Sequence, residues 1–323
     1  MILCYSLDNK EVNIMKIVSI YDFFQKFPDE EAARLYLEKK RWNDSIVCPH
    51  CGSHKVSECK NHKPMPYRCK ECRKHFSVRT GTVLEESRLP LKKWLLAIYM
   101  MTSSRKGIPS TQMAKELGIT QKSAWFLAQR IREAWLNKQT EESSDSDKLD
   151  GEVEVDETFI GGKESNKHSK KKLRQGRGSV GKAVVIGIKQ RNGEVVVKHA
   201  PDVTAKTLHR FIEDNVVVGA TVYTDDFKSY RGLNKYNHLS VNHSVGEYVN
   251  QKAYTNGIES FWALLKRGHY GIYHFMSSKH LERYIQEFAF RHNTASWETM
   301  NFIDRTFEMM YGKHISYKDL ING

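Results

Sequence analysis

The sequence predicts a multidomain α+β protein. Three observations carry that reading: two Cys-x-x-Cys pairs near the front, two short helical patterns meeting at a glycine in the middle, and strand-like runs interleaved with helices beyond an acidic stretch. A chain of 323 residues also has room for two or three domains of about 100 to 200 residues each. With 51 Lys and Arg against 38 Asp and Glu the net charge is +13, and 40% hydrophobic residues supply a core, so neither a disordered tail nor a fibre fits. The longest apolar run, Trp94 to Met101, has eight residues. That falls far short of the roughly 18 needed to cross a bilayer, and Met1 to Lys10 lacks a charged leader with a cleavage site, so a soluble intracellular protein with no membrane partner is expected. Met15 offers an internal start, which leaves residues 1–14 without an expected role.

The front of the chain, 17–45, reads as an N-terminal helical segment. Phe27-Pro28-Asp29-Glu30-Glu31 opens a helix, and Ala33, Leu35, Tyr36 and Leu37 give it apolar positions as far as about Trp42. Residues 46–80 follow with eight Lys and Arg against only Glu58 and Glu71. Within them Cys48-Pro49-His50-Cys51 and Cys69-Lys70-Glu71-Cys72 stand 17 residues apart. This spacing reads as a zinc ribbon, because each turn aims two thiolates at one tetrahedral ion about 2.3 Å away. Four thiolates, from Cys48, Cys51, Cys69 and Cys72, leave no open coordination position, so one structural zinc is expected. The ion replaces a core that about 35 residues cannot build. A thioredoxin-like redox pair is the competing reading, and it lacks its βαβ context. Cys4 and Cys59 have no Cys-x-x-Cys partner and read as ordinary thiols.

Residues 88–137 read as a helix-turn-helix region. Leu89-Pro90 starts a helix through Trp94, Leu95, Ile98 and Met101. Ile108-Pro109-Ser110 then sets up a helix over Thr111 to Leu117, Gly118-Ile119-Thr120 breaks it, and Gln121 to Trp135 continues as a second. Met113, Ala114, Leu117, Ile119, Ala124, Leu127 and Ile131 are what two such helices bury where they cross. A helix-turn-helix presents its second helix to a DNA groove, which makes Gln121, Lys122, Trp125, Gln129 and Arg130 the candidate contacts. Helix hairpins also serve plain packing, and both readings stand at this point.

Charge reverses over residues 137–157, where nine acids face Lys138 and Lys148, and 138–150 is the expected acidic linker, with Glu141 to Asp147 its least apolar part. Residues 160–182 swing back, with eight Lys and Arg against Glu164. Lys170, Lys171, Lys172, Arg174 and Arg177 in this block, and Arg267 later, are candidate DNA contacts; the other reading of such a block is a solvated face.

The region 151–300 carries the strands. Glu152 to Phe159 alternates Val153 and Val155; Ala183 to Ile188 and Val195 to Val197 follow, joined by Arg191-Asn192-Gly193, a hairpin signal. A helix from Ala205 to Asn215, a strand from Ala220 to Asp225 and helices from about Thr255 to Lys266 and Lys279 to His292 come next, and 301–323 is left as a C-terminal tail. Asp156 and Asp225 each end a strand, and Glu259 lies on a helix 34 positions beyond Asp225. This is the element order of a ribonuclease-H-like (RNase H-like) α/β domain, which brings such carboxylates to one point. Any one of the three could instead be a turn residue. Three gathered carboxylates suit phosphodiester chemistry, in which two Mg²⁺ or Mn²⁺ ions about 3.5 to 4 Å apart activate the nucleophile and relieve charge on the leaving oxygen. Hard cations take oxygen ligands, so Asp156, Asp225 and Glu259 are the candidate ligands. Lys266 is two helical turns beyond Glu259, about 10 Å away, too far to pair with it but placed to reach a phosphate. Asn256 is one turn before Glu259 on the same face, while Ile258, Phe261, Trp262 and Leu265 form an apolar stripe expected to be core.

The strings CPHCGS, YRCKECRKHFSVRTGT, LPLKKWLLAIY, VDETFIGGK, VYTDDFKSY and TNGIESFWALLKRG together resemble bacterial insertion-sequence transposases of the ISXO type, from about Phe27 to His292. These join a zinc ribbon to a DDE catalytic domain. The resemblance implies Asp156, Asp225 and Glu259 as the metal-binding triad, with Lys266 as the accompanying base. Some branches use an asparagine in the third place, so Asn256 stands beside Glu259 as its rival. Where the family commonly has a histidine before the Thr-Asn pair, this chain has Tyr254.

The expected function is therefore a DDE-type transposase that binds the terminal inverted repeats of an insertion sequence, cuts double-stranded DNA with divalent metal and joins the freed end to a target. Synapsis of two ends implies a homo-oligomer on DNA, and a bacterial source implies a cytoplasmic, nucleoid-associated protein. The alternatives are a catalytically silent DNA-binding regulator and a structure-selective nuclease.

Overall fold

The computed structural model describes residues 18–59, 61–136, 148–162, 168–169, 172, 180–241 and 255–322. Helices α1 (Ile20–Lys26) and α2 (Glu30–Trp42) open the chain, each with a side-chain cap: the Ser19 hydroxyl accepts from the Asp22 N–H, and Asp29 Oδ1 accepts from the Ala32 N–H at 2.8 Å. Three short strands, β1 (Val56–Glu58), β2 (Tyr67–Cys69) and β3 (His75–Phe76), pair antiparallel as a small sheet. Helices α3 (Leu91–Ser103) and α4 (Ser110–Leu117) start after Pro90 and Pro109, and α5 (Gln121–Trp135) follows the break at Gly118 to Thr120, where the Thr120 hydroxyl accepts from the Ser123 N–H. The helix-turn-helix order is present as the sequence predicts.

A second unit is built on strands β4 (Glu152–Ile160), β5 (Ala183–Gln190), β6 (Val195–Ala200), β7 (Thr221–Asp225) and β8 (Asn237–Val241), with α6 (Ala205–Asn215) crossing between β6 and β7. The sheet order is β6-β5-β4-β7-β8; β4, β5 and β6 are antiparallel neighbours, whereas β7 and β8 join parallel. This is the RNase H-like arrangement that the element order predicts. Asn192 turns the β5–β6 hairpin at φ 58°, the left-handed conformation that the Asn-Gly pair anticipates. Val153, Val155 and Val222 bury one sheet face under α6, and Ile160, Val185 and Val197 bury the other under α7 (Asn256–Gly268) and α8 (Ser278–Asn293).

Two helices close the chain: α9 (Thr299–Glu308) and α10 (Tyr317–Asn322). The expected tail 301–323 is therefore corrected. Phe302, Ile303, Phe307 and Met310 are buried in the same core as α2, α3, α5 and the small sheet, because α9 repeats apolar residues at helical spacing. The expected linker, Glu141 to Asp147, lies outside the described residues. No described helix is long and apolar enough to cross a membrane.

Helix α8 joins the two units. Along edge strand β6 it meets outward-pointing backbone groups at the alternating positions 195, 197 and 199. Asn293 Oδ1 accepts from the Val195 N–H and its Nδ2 donates to the Val195 carbonyl, Gln286 donates to the Val197 carbonyl, and Glu282 accepts from the His199 N–H. The exposed rim that would otherwise recruit another strand is thereby covered. On its other side, buried Glu287 accepts from Arg132 Nε of α5 at 2.7 Å and from the Tyr273 hydroxyl at 2.8 Å, and pairs with Arg291 at 3.1 Å. Burial alone would raise the Glu287 carboxyl, but the Arg132 and Arg291 charges outweigh it and hold its pKa below the usual carboxylate range. Glu287→Ala would leave two guanidinium groups buried without their partner. It is expected to lower unfolding free energy by roughly 3 to 5 kcal/mol in urea titrations, whereas breaking the exposed Arg305–Glu308 pair should shift it by under about 1 kcal/mol. Equal effects of the two changes would contradict the role given to this cluster.

Candidate active site and metal centre

The first site is the thiol cluster. After each Cys-x-x-Cys the chain doubles back with the same backbone hydrogen bond, Cys48 N–H to the Ser53 carbonyl at 2.9 Å and Cys69 N–H to the Lys74 carbonyl at 3.0 Å. These two matching turns bring Cys48, Cys51, Cys69 and Cys72 together, every sulfur within 4.8 Å of the others. The Cys48–Cys72 and Cys51–Cys69 separations are 3.7 and 3.6 Å. A tetrahedron with metal–sulfur bonds of about 2.3 Å has edges of about 3.8 Å, so the cage fits zinc. N–H groups of Cys72 and Glu71 favour the Cys69 thiolate and lower its pKa, whereas the Cys51 thiol beside it is raised. The ribbon does not stand apart: Cys48, Cys69, Tyr67 and Phe76 bury into the core shared with Leu37, Trp42 and α9.

The second site lies midway along β4 and at the end of β7; the expectation that Asp156 ends its strand is corrected, because β4 runs on to Ile160 in its pairing with β5 after its pairing with β7 stops at Glu154. The parallel ladder pairs Val153 with Val222 and Glu154 with Tyr223, and Asp156 and Asp225 each follow two residues further along. Alternation puts Glu154, Asp156, Tyr223 and Asp225 on the face covered by α7, opposite the valines. Trp262 of α7 lies over Gly187, the partner of Asp156 on β5, and its indole Nε1 donates to Asp156 Oδ2 at 3.0 Å. An added Cβ at Gly187 would stand 2.6 Å from the Trp262 ring, so this close approach requires glycine. Burial, then the neighbouring Glu157 charge and, more weakly, Asp225, push the Asp156 carboxyl up to about 7. Glu157 is raised too, chiefly by burial, although the Tyr230 hydroxyl donates to it at 2.6 Å. Asp225 Oδ1 accepts from the Phe227 N–H at 3.1 Å. Like-charged groups thus lie close together on neighbouring strands, the arrangement a cation relieves.

Glu259 is exposed in the first turn of α7, where Thr255 Oγ1 donates to it at 3.0 Å. Asn256 shares that turn, and Lys266 and Arg267 are exposed in the last one. The structure therefore brings Asp156 and Asp225 into electrostatic contact, with Glu259 on the helix above them. Among the described residues, the four cysteines are the one group of three or more metal-ligating side chains with every ligand atom within 4.8 Å; the acidic trio is more widely spread.

Of the candidate DNA contacts, Gln121 and Lys122 are exposed at the start of α5, with Gln121 Nε2 donating to Ser110 and Lys122 Nζ over the Tyr317 ring. Gln129 and Arg130 correct the expectation. Both are buried, because α5 is enclosed by α3, α4, α8 and α9 rather than laid bare on one face. Gln129 donates to the Tyr284 hydroxyl, and Arg130 donates to the Glu85 carbonyl while its guanidinium lies 5.4 Å from the Trp94 ring centre. Trp125 is half-buried, edge-on to His280. Lys172 is exposed, while Lys170, Lys171, Arg174, Arg177 and Tyr254 lie outside the described residues. Sequence reasoning assigned Trp262 to the core and passed over Glu154 and Tyr230. The alternation of acids at Glu152, Glu154 and Asp156 was the signal for Glu154.

A four-thiolate ribbon followed by an RNase H-like sheet with acids side by side on its two central strands defines a class: proteins that join a zinc ribbon to an RNase H-like domain. The family model for an ISXO2-like transposase domain matches residues 148–293, and that for a transposase zinc-ribbon domain matches 28–75. An uncharacterized protein in transposable element ISH50 of Halobacterium salinarum is 29% identical over 281 residues, 82% of this chain and 91% of that protein. An uncharacterized transposase-like protein of Haemophilus influenzae is 34% identical over 97 residues, 29% of this chain and 77% of that protein. The crystal structure of a pre-cleavage Mos1 transpososome is 12% identical, covers 92% of this chain and 96% of its own, and superposes with a TM-score of 0.19, too low to bear on the fold. Over residues 28–75 and 148–293 the chain is thus similar to the zinc-ribbon and catalytic domains of ISXO2-like transposases.

The raised Asp156 carboxyl has a consequence for stability. Its ordinary value is 3.8 and its folded value about 7, so between these pH values the folded protein holds the proton more tightly than the unfolded chain. Stability from this group is present at low pH and is lost as pH rises through about 7. Without added divalent metal, Asp156→Asn is therefore expected to be more stable than wild type by roughly 1 to 3 kcal/mol at pH 8 and no more stable near pH 4. Denaturant titrations at the two pH values check this, and a pH-independent difference would contradict it.

Proposed function

We propose that this transposase binds the terminal inverted repeats of its own element, cleaves double-stranded DNA with two Mg²⁺ or Mn²⁺ ions and transfers the freed 3′-hydroxyl to target DNA. The placement of Asp156 on β4 beside Asp225 on parallel β7, where burial and then the Glu157 and Asp225 charges lift the Asp156 carboxyl to about 7, is the observation that carries the reading. Hard carboxylate oxygens with no soft donor among them suit Mg²⁺ or Mn²⁺ and not zinc.

Asp156 and Asp225 hold the ions from the sheet and Glu259 from α7, with Asn256 as the alternative third ligand. Bound there, the ions lower the pKa of the attacking water or hydroxyl and neutralise the leaving oxygen. Trp262 fixes the orientation of the Asp156 carboxylate through its indole N–H. Lys266 and Arg267 meet DNA phosphate, an interaction that charge alone can supply. Residues 46–80 and 88–137 engage the element ends through Gln121, Lys122 and the basic ribbon, and the basic block Lys170, Lys171, Lys172, Arg174 and Arg177 adds backbone contacts. Two ends held together call for a homo-oligomer, and activity on chromosomal DNA calls for a cytoplasmic, nucleoid-associated protein.

Labelled element ends incubated with target DNA and Mg²⁺ are expected to yield cleaved ends and joined products with wild type, and neither with Asp156→Ala or Asp225→Ala. Cleavage without joining would reassign the chain to a nuclease. Binding without any metal-dependent cleavage would leave a DNA-binding regulator.

A further inference from the structure

Helix α7 begins without a side-chain cap of its own. The hydroxyl of its N-cap residue, Thr255, is turned toward Glu259 Oε1 instead of toward the first-turn amides. Those amides carry the positive end of the helix dipole and cost free energy if buried without an acceptor. The acceptor comes from the sheet. Glu154 of β4, 2% exposed, receives the Ile258 N–H on Oε2 at 2.9 Å. Its other oxygen lies 3.5 Å from Arg191 Nε, and the Arg191 guanidinium is itself stacked 3.8 Å from the centre of the Tyr223 ring on β7. The fit is tight from the helix side as well: a Cβ built on Gly257 would stand 2.7 Å from Glu154 Oε2.

We propose that Glu154 is a positioning residue for the divalent-metal centre. Its carboxylate caps α7 from the strand that carries Asp156, two residues away on the same face, and so sets the depth and rotation at which the helix presents Glu259. By taking over the capping role it also releases the Thr255 hydroxyl to orient Glu259. Glu154 touches neither metal nor DNA. The inference rests on the transposase reading and adds to it a residue that the acidic triad does not include.

The test compares full-length wild type, Glu154→Gln, Glu154→Ala, Gly257→Ala and the Glu154→Ala/Gly257→Ala double variant. Glutamine keeps the volume and one acceptor but loses the charge that faces Arg191 and the helix terminus. Two readouts are taken: the Mg²⁺ concentration giving half-maximal cleavage of labelled ends, and hydrogen exchange at the Ile258 amide. Glu154→Gln is expected to raise the half-saturating Mg²⁺ by about tenfold or more, with end-DNA affinity and melting temperature near wild type, and to speed exchange at Ile258 selectively. Gly257→Ala should give the same pattern alone and little further loss in the Glu154→Ala background, where its methyl meets no carboxylate. A purely structural role would move melting temperature and DNA affinity together and leave the metal requirement unchanged. If Glu154→Gln does not fold, Gly257→Ala and its double variant carry the test. An active wild type whose Mg²⁺ requirement is untouched by Glu154→Gln or Gly257→Ala overturns the positioning role alone. A wild type without metal-dependent cleavage overturns the transposase reading and this inference with it.

Discussion

Burial of acids beside one another, midway along β4 and at the end of parallel β7, governs the catalytic unit. The β4–β7 ladder fixes Asp156 and Asp225 at neighbouring positions, and it cannot slip to separate them. A shift of one residue would turn Val153, Val155 and Val222 out of their core and the acidic face into it. Backbone pairing and valine burial therefore hold acids together in a half-buried place, and Asp156, desolvated first and facing the Glu157 and Asp225 charges second, keeps its proton to about pH 7. Divalent cations remove that penalty, which is how a fold that is stable without metal can still be primed to bind it.

Carboxylates that cap helices belonging to other elements recur in the molecule. Glu30 of α2 accepts the Leu91 and Lys92 amides at the start of α3, where Pro90 provides no cap, and Glu154 of β4 does the same for α7. In each case a helix is located by a charge on its neighbour rather than by its own N-cap residue, so the two elements are fixed in register with each other. Helix α8 works on a larger scale, satisfying the outer backbone groups of β6 with its amides and carboxylates while Glu287 ties it to Arg132 of α5. The helix-turn-helix is thereby anchored to the acidic sheet through buried ionic contacts. Helix α5, which a sequence pattern casts as a groove reader, is the axis of this junction, and only its first turn faces solvent.

Much of this was legible in the residues. Cysteine spacing gave the ribbon, Asn192-Gly193 the hairpin, and alternating valines the central strand, because each rests on local rules of period or turn geometry. Strand β8 was missed: His238, Leu239 and Ser240 lack alternation, as expected of an edge strand whose Leu239 is 43% exposed. Helix α1 was passed over although Ser19 and Asp22 form a capping box, and α9 although Phe302, Ile303, Thr306 and Phe307 repeat at helical spacing. The burial of Gln129 and Arg130 could not be read locally. Both are polar residues on a helix whose first turn is exposed, and only distant segments enclose them: Tyr284 of α8 meets Gln129, and the Glu85 carbonyl and Trp94 meet Arg130. Glu154 was hidden for the same reason: its partner amide at Ile258 is brought to it by the sheet.

The central claim, that Asp156, Asp225 and Glu259 together hold paired divalent cations, is tested most directly by anomalous diffraction from crystals soaked in Mn²⁺. Two manganese peaks within coordinating distance of these carboxylates are expected, and neither should remain in Asp156→Asn. A fully occupied zinc ribbon alongside an acidic centre that takes up no manganese, in crystals where the carboxylates are free to move, would contradict the account.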